Sequence, residues 1–324
     1  MKETTMRLRL PLALIAVTIL ACSSKLTGNE GNFQFSYTAD DRITDFNKPI
    51  AVGGYLDIEV TDVGALQPIE LLAAEFDDSA ILDVVSFSGN TITVMGVADG
   101  SALLSVEGTT LDGETLTDGI NMLAGIPEVL LLAHTCEGDA YLTSQRIWLP
   151  FEMEKENGQP VIGYGYYPVS LDSEASLGLN ADDSGQQYMA LDTTATPGIA
   201  TLSSTVDDTT LALNIVTPAD ITGAAQPIAW VFEDIDVGDT NAFYVLPTTD
   251  SSTICQAEVT KTVTSNTPDT CTIAEIEPSD SSTYEFGWFE VTGVAEGLCE
   301  YTVAYPDGND GAGASTQFSY TIEP

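Results

Sequence analysis

One pattern of apolar and polar positions recurs three times along the chain: a glycine-bearing turn, then a strand of alternating side chains. Gly96–Val106 reads Gly-Val-Ala-Asp-Gly-Ser-Ala-Leu-Leu-Ser-Val, Gly293–Val303 reads Gly-Val-Ala-Glu-Gly-Leu-Cys-Glu-Tyr-Thr-Val, and Thr196–Ser203 is a shorter version. The turn glycines Gly100, Gly198 and Gly297 lie 98 and 99 residues apart, a period that signals repeated domains. In a half-buried strand alternate side chains share one face. Ala102, Leu104 and Val106 therefore share the face that Ala200 and Leu202, and Cys299, Tyr301 and Val303, take in the other copies. Each copy opens on another matching strand, Val52–Val60, Tyr141–Leu149 and Val237–Val245, the middle one loosest. The first copy offers strands at Tyr55–Thr61, Ile69–Phe76, Ala80–Phe87, Thr91–Met95, Ser101–Val106 and Leu116–Leu123. Asp77-Asp78, Gly89-Asn90, Asp99-Gly100 and Asp112-Gly113 punctuate them. Many short strands with regular turns predict an all-β chain of sandwiches. No amphipathic helix is expected past the first 22 residues, and the last strand, Thr316–Ile322, should tie the chain end into a sheet. The words Gln34–Thr38 and Gln317–Thr321 are identical and read as edge or closing strands.

These turn-and-strand words resemble the bacterial Ig-like domain family, whose members open with a "G…l.v" strand and close with a "v.gv.aG.a.i.v" hairpin. The resemblance covers 45–124 and 228–323 and is weaker over 128–222. It implies tandem Ig-like β-sandwich domains at 33–125, 126–222 (divergent) and 223–324, with Ile126-Pro127 and Thr217–Gln226 as the links.

Before the first domain, Lys2, Arg7 and Arg9 precede a run of twelve mostly apolar residues, Leu10–Ala21. That is too short to span a bilayer and has the layout of an export signal. It ends Ile19-Leu20-Ala21-Cys22, which resembles a bacterial lipobox, with Ile19 and Leu20 in place of the usual Leu and small residue. The resemblance implies cleavage after residue 21, lipid on Cys22, and a membrane partner reached through that anchor. Several acyl chains hold where one would not. Residues 22–32 then read as a flexible tether. By the sorting habit of enteric bacteria, Ser23 after the cysteine implies the outer membrane.

Charge excludes one class of partner. Against 49 acidic residues stand 9 basic ones, a net charge of −40, so nucleic acid, which needs Lys/Arg patches, is not expected to bind. Chemistry is sparse. A nucleophilic triad needs a base, and the one histidine, His134, lacks a recognisable orienting partner beside Cys136 and reads as structural. No Cys-x-x-Cys, phosphate loop or dinucleotide fingerprint occurs, so the chain is read as non-enzymatic. Calcium is the one ion with a candidate place, on Asp307, Asn309 and Asp310, but Gly311 stands where a third ligand should be. A solvated turn is the simpler reading, and no cofactor is expected. Asp77-Asp78, Asp182-Asp183 and Asp207-Asp208 read as loop tips. The second domain crowds aromatic residues, of which Trp148, Tyr164, Tyr166 and Tyr167 could form a face for a glycan or peptide; filling of a sandwich core is the plainer use. The expected role is a spacer, adhesion or assembly component of the cell envelope, with a glycan- or peptide-binding surface module as the alternative.

Four cysteines remain after Cys22 and allow three pairings; an exported chain sits where disulfides form. The third copy resembles a variant of bacterial Ig-like domains with the pattern "tp.vCtv … GtCti", whose two cysteines bridge neighbouring strands. This implies Cys271–Cys299, and leaves Cys136–Cys255 to staple the second domain to the third. Aligned on the glycines, Cys299 takes the place of Ala102; Cys271 falls on Ala74 without gaps, or on Ile81 if the third copy carries a longer loop.

Overall fold

The computed structural model describes residues 25–37, 48–172, 175–226, 228–229, 235–276 and 287–324. Among these are no α-helices, only strands and two short 3-10 turns, and no helix long and apolar enough to cross a membrane. Cys22 and the export signal lie outside the described residues.

Three sandwiches follow one another, each with the strand order of an immunoglobulin fold. In the first, strands A (Phe33–Tyr37), B (Tyr55–Asp62), E (Thr91–Gly96) and D (Leu82–Ser88) form one sheet in the order A-B-E-D. A′ (Ile50–Ala51), G (Thr115–Gly125), F (Gly100–Thr109) and C (Glu70–Phe76) form the other, in the order A′-G-F-C. A′ runs parallel to G and the remaining neighbours are antiparallel. The second sandwich repeats both orders, with A Val129–Leu132, A′ Ala140–Leu142, B Arg146–Glu154, C Val169–Leu171, D Leu177–Asn180, E Tyr188–Thr193, F Gly198–Ser204 and G Thr210–Val216. The third does so with A Ile228–Ala229, A′ Ile235–Asp236, B Thr240–Tyr244, C Thr262–Ser265, D Cys271–Ile276, E Trp288–Gly293, F Gly297–Tyr305 and G Ala314–Glu323. An A-B-E-D sheet facing G-F-C is the immunoglobulin arrangement, so the fold is a tandem of Ig-like sandwiches.

Local pattern accounts for the strands. Thr91–Gly96 alternates half-buried and buried residues without a break. Ala102, Leu104, Val106, Ala200, Leu202, Cys299, Tyr301 and Val303 are all buried, on the face that the alternation assigned. The three F-strand glycines share one unusual backbone angle, with φ of 155° at Gly100, 149° at Gly198 and 140° at Gly297, a region side chains resist. The turn before strand B is equally conserved in shape. Gly53 (φ 89°) and Gly238 (φ 96°) hold it in the outer copies, and Ser144 (φ 59°) takes the left-handed conformation in the middle one. The missing glycine is why the middle copy reads loosest in sequence.

Four readings change. The stretch taken as a tether forms, from Lys25, a strand (Lys25–Thr27) paired with A and a turn clasped by Asp118, which accepts the N–H groups of Glu30, Asn32 and Phe33 at 2.8 Å each. The two identical words fill different places, strand A of the first sandwich and strand G of the third, each between two neighbours. In the link after Thr217, Gly223–Ala224 pairs with Pro247–Thr248. Finally, the Cys271–Cys299 bridge joins strand D to strand F, in opposite sheets, not neighbouring strands of one sheet. Residues 266–270 carry the chain from one sheet to the other, so Cys271 opens strand D at the corner where the sheets converge. Cys271 pairs with Gly293 as Leu82 pairs with Gly96; it therefore takes the place of Leu82, one residue beyond Ile81. Leu82 with Ala102, and Leu177 with Ala200, are the buried apolar pairs standing in the other sandwiches where the third has its disulfide.

Candidate functional site

The geometry that distinguishes this chain from three separate sandwiches lies in the segments between strands B and C. In the first sandwich that connection is the short turn 63–69. In the second and third it is an insertion, 155–168 and 245–261, that reaches back to the preceding sandwich.

At the first joint, strand B ends at Glu154, the chain turns over Lys155–Gln159 and Val161 returns beside Met153. Ile162 then pairs in parallel with Ile50 on the outer edge of A′, and Tyr164 pairs with Tyr55. Ile162 N–H donates to Pro49 O at 2.9 Å and Ala51 N–H to Ile162 O at 2.7 Å; Tyr55 and Tyr164 exchange N–H···O bonds of 2.8 and 2.9 Å. The incoming segment thus lengthens the A′-G-F-C sheet of its neighbour, satisfying an edge that would otherwise stand open. Side chains lock the register. Ile162 is buried in the first sandwich's core and Ala51 in the second's; a buried Ile contributes about 2 kcal/mol. The Tyr164 hydroxyl donates to Asp57 at 3.1 Å, and burial, followed by the charge and hydrogen bond of Asp57, pushes its pKa up to about 12. Lys155 Nζ meets Asp99 at 2.6 Å, which holds the Asp99 carboxyl below its ordinary range.

The second joint repeats the plan with other side chains. Ile254 pairs in parallel with Ala140 on the outer edge of the second A′ strand, and Cys255 N–H donates to Ala140 O at 2.8 Å. The Cys136–Cys255 disulfide staples the contact. Gln256, buried and in a left-handed conformation, serves as a main-chain mimic: it accepts from Trp148 N–H at 2.7 Å and donates to Trp148 O at 2.8 Å. Gln145 does the same for Glu258, accepting its N–H at 3.1 Å and donating to its carbonyl.

The predicted ligand aromatics are distributed over these joints. Tyr164 lies in the first, and the Tyr166 ring lies 3.2 Å from where a Cβ on Gly53 would stand. Tyr167 packs edge-on against Phe151, and the main chain of Trp148 is held at the second joint. All four are half-buried. His134 stacks on Tyr141 with Nδ1 3.3 Å from its hydroxyl; burial lowers its pKa, opposed by the charge of Asp139. Asn309–Gly311 is a 3-10 turn in which Asn309 and Asp310 adopt positive φ, docked by Asn309 N–H on Ile221 O at 2.8 Å. Among the described residues no cluster of three metal-ligating side chains occurs. Asp207 is more than a loop tip: it accepts Leu130 N–H at 2.9 Å. Burial opposes its ionisation, but that bond and those of Ser204 and Thr209 hold its pKa down at about 2. Gln145, Gln256 and the two insertions have no motif. Their one trace in the sequence is the interval from the turn before B to the glycine before F, which lengthens from Gly53–Gly100 through Ser144–Gly198 to Gly238–Gly297.

No protein-family model and no curated protein matches the chain. Among solved structures it is similar to domains 4–9 of the surface layer protein SbsC, at 14% identity over 89% of this chain and 47% of that one, with a TM-score of 0.30. The Escherichia coli adhesin FdeC matches at 12% identity over 93% of this chain and 98% of that one, TM-score 0.27. The Bacteroides ovatus mixed-linkage glucan utilization protein SGBP-B, in complex with a mixed-linkage heptasaccharide, matches at 12% identity over 85% and 65%, TM-score 0.30. The chain spans about half the length of the SbsC fragment.

Proposed function

We propose that the protein is a non-enzymatic, lipid-anchored component of the cell envelope, in which three Ig-like sandwiches joined by strand pairing serve as a spacer for adhesion or assembly. The observation that carries this reading is the repeated joint: each insertion continues the preceding sandwich's sheet and interleaves the two cores. Such joints resist bending in a way that a Gly/Ser linker does not, which suits a part that holds one surface away from another. The half-buried aromatics of the second sandwich then act at joints and core. The anchor rests on the basic start, the apolar run and Cys22; the outer membrane is the expected destination.

Two measurements test it. Cys22→Ala should release the protein into the soluble fraction, and persistence of that variant in membranes would refute the lipid anchor. Protease treatment of intact cells should degrade the sandwiches if they face outward, whereas degradation only after permeabilisation would place them in the periplasm and remove the adhesion role.

A further inference from the structure

Joints one and two occupy the outer edge of an A′ strand; the third sandwich has the same edge. Asp236 stands two residues before Gly238, as Ala51 stands two before Gly53. Its strand pairs with G in the same parallel register, Ile235 with Ile322 and Asp236 with Glu323. Val237 N–H donates to Glu323 O at 3.1 Å as Val52 N–H donates to Gly125 O at 3.0 Å. The N–H of Ala51 is spent on the incoming Ile162; that of Asp236 has no partner among the described residues.

Part of the receiving surface of the first joint is reproduced around that edge, with Thr240 and Ala242 standing where Tyr55 and Asp57 meet Tyr164. Val52-Gly53 returns as Val237-Gly238, and Gly96-Val97-Ala98-Asp99-Gly100 as Gly293-Val294-Ala295-Glu296-Gly297. Gly53 has the ring of Tyr166 against it, whereas a Cβ on Gly238 would meet nothing within 4 Å. Val52 is half-buried, but Val237 is 45% exposed. Glu296, exposed, occupies the position of the Asp99 carboxylate that receives Lys155. An open strand edge beside an exposed valine is a template for strand addition.

We propose that the Ile235–Asp236 edge with Val237, Gly238 and Glu296 is a docking site for a B–C insertion of another Ig-like sandwich, which adds in parallel and places a lysine on Glu296. The insertion chemistry follows from the first joint: a lysine-bearing turn, then an apolar residue pairing on the edge, then an aromatic ring over the glycine. A second copy of this chain is the poorer occupant, because both of its insertions are already committed to its own joints. The site does not depend on the lipid anchor.

The probe is a labelled synthetic peptide with the sequence of residues 154–167, titrated against the full-length protein by fluorescence anisotropy. Saturable binding is expected, weakened about tenfold or more by Glu296→Lys and by Asp236→Pro, which removes the edge donor. Val237→Lys, at an exposed position, provides a variant that spares the backbone if Asp236→Pro fails to fold. Absence of binding at millimolar peptide, or binding that all three variants leave unchanged, overturns the proposal. A concentration-dependent dimer in sedimentation velocity that Glu296→Lys dissolves would seat a second copy on the edge and overturn the choice of partner.

Discussion

Asp118 does at one point what a strand does along a row. It accepts N–H groups from Glu30, Asn32 and Phe33, and from Gly119 at 2.8 Å, fastening the first described turn to strand G. Asp118→Ala leaves those donors to water or to nothing, and should cost about 3 kcal/mol, read by denaturant unfolding. Burial pushes this carboxyl's pKa up, but bonds from the Glu30 side chain and from the N–H groups of Phe33, Glu30 and Gly119 outweigh it and hold it below the ordinary value. A depressed folded pKa stabilises above the unfolded value of about 3.9 and the benefit fades as pH falls through the folded one. Stability should therefore drop below about pH 4, and Asp118→Asn should flatten that drop. Glu30, raised by sharing its proton with Asp118, carries the opposite sign and softens the slope. The disulfide in the third sandwich makes another residue-scale prediction. Because Leu82 with Ala102 occupies the same pair of positions, the double variant Cys271→Leu, Cys299→Ala should keep the fold. It should lose up to about 3.6 kcal/mol, the chain-entropy value of the 28-residue loop. Cys299→Ser alone, with a hydroxyl in an apolar core, should lose more; equal losses in thermal unfolding would contradict the equivalence.

At the scale of elements, the insertions between B and C do the organising. Strand addition is mainly a main-chain contact, so its cost of disruption is spread over several bonds, while side chains choose the register. Tyr164 is the side chain to test at the first joint. Its hydroxyl pKa is raised to about 12, so its contribution is full below the ordinary value near 10 and is lost as pH rises through the folded one. Wild-type thermal stability should fall between about pH 10 and 12. Tyr164→Phe should be about 1 kcal/mol less stable near neutrality and should fall less steeply across that window, the remaining fall coming from the other buried tyrosines, whose pKa values burial also raises. A wild-type fall that persists unchanged in Tyr164→Phe would assign the loss to other tyrosines.

For the whole molecule, the two joints use different locks: an ion pair and a tilted tyrosine pair at the first, a disulfide at the second. Cys136–Cys255 spans 119 residues, a loop whose closure is worth about 4 to 5 kcal/mol in the chain-entropy model. Calorimetry of Cys136→Ala, Cys255→Ala should show the third sandwich melting separately from the second, where the oxidised protein melts them together. A single unchanged transition would mean that strand pairing and the Gln256–Trp148 bonds suffice alone. With 49 acids against 9 bases, repulsion between neighbouring sandwiches adds to this at low salt.

What the residues determine by themselves is local. The alternation at Ser101–Val106 and the predicted strand Thr91–Met95 recur in the structure as Gly100–Thr109 and Thr91–Gly96, because a two-residue period and a glycine at positive φ depend only on near neighbours. Ser144 shows the limit even there: its left-handed turn is imposed by the fold, and no glycine announces it. The choice of the A′ edge by Ile162 and Ile254, the meeting of Tyr164 with Asp57, and the clasp of Asp118 on Glu30–Phe33 were decided only by tertiary structure. Main-chain donors and acceptors are the same in every residue, so an open strand edge carries no code for what will pair with it. Which segment does so is set by how far an insertion reaches and what packs beside it.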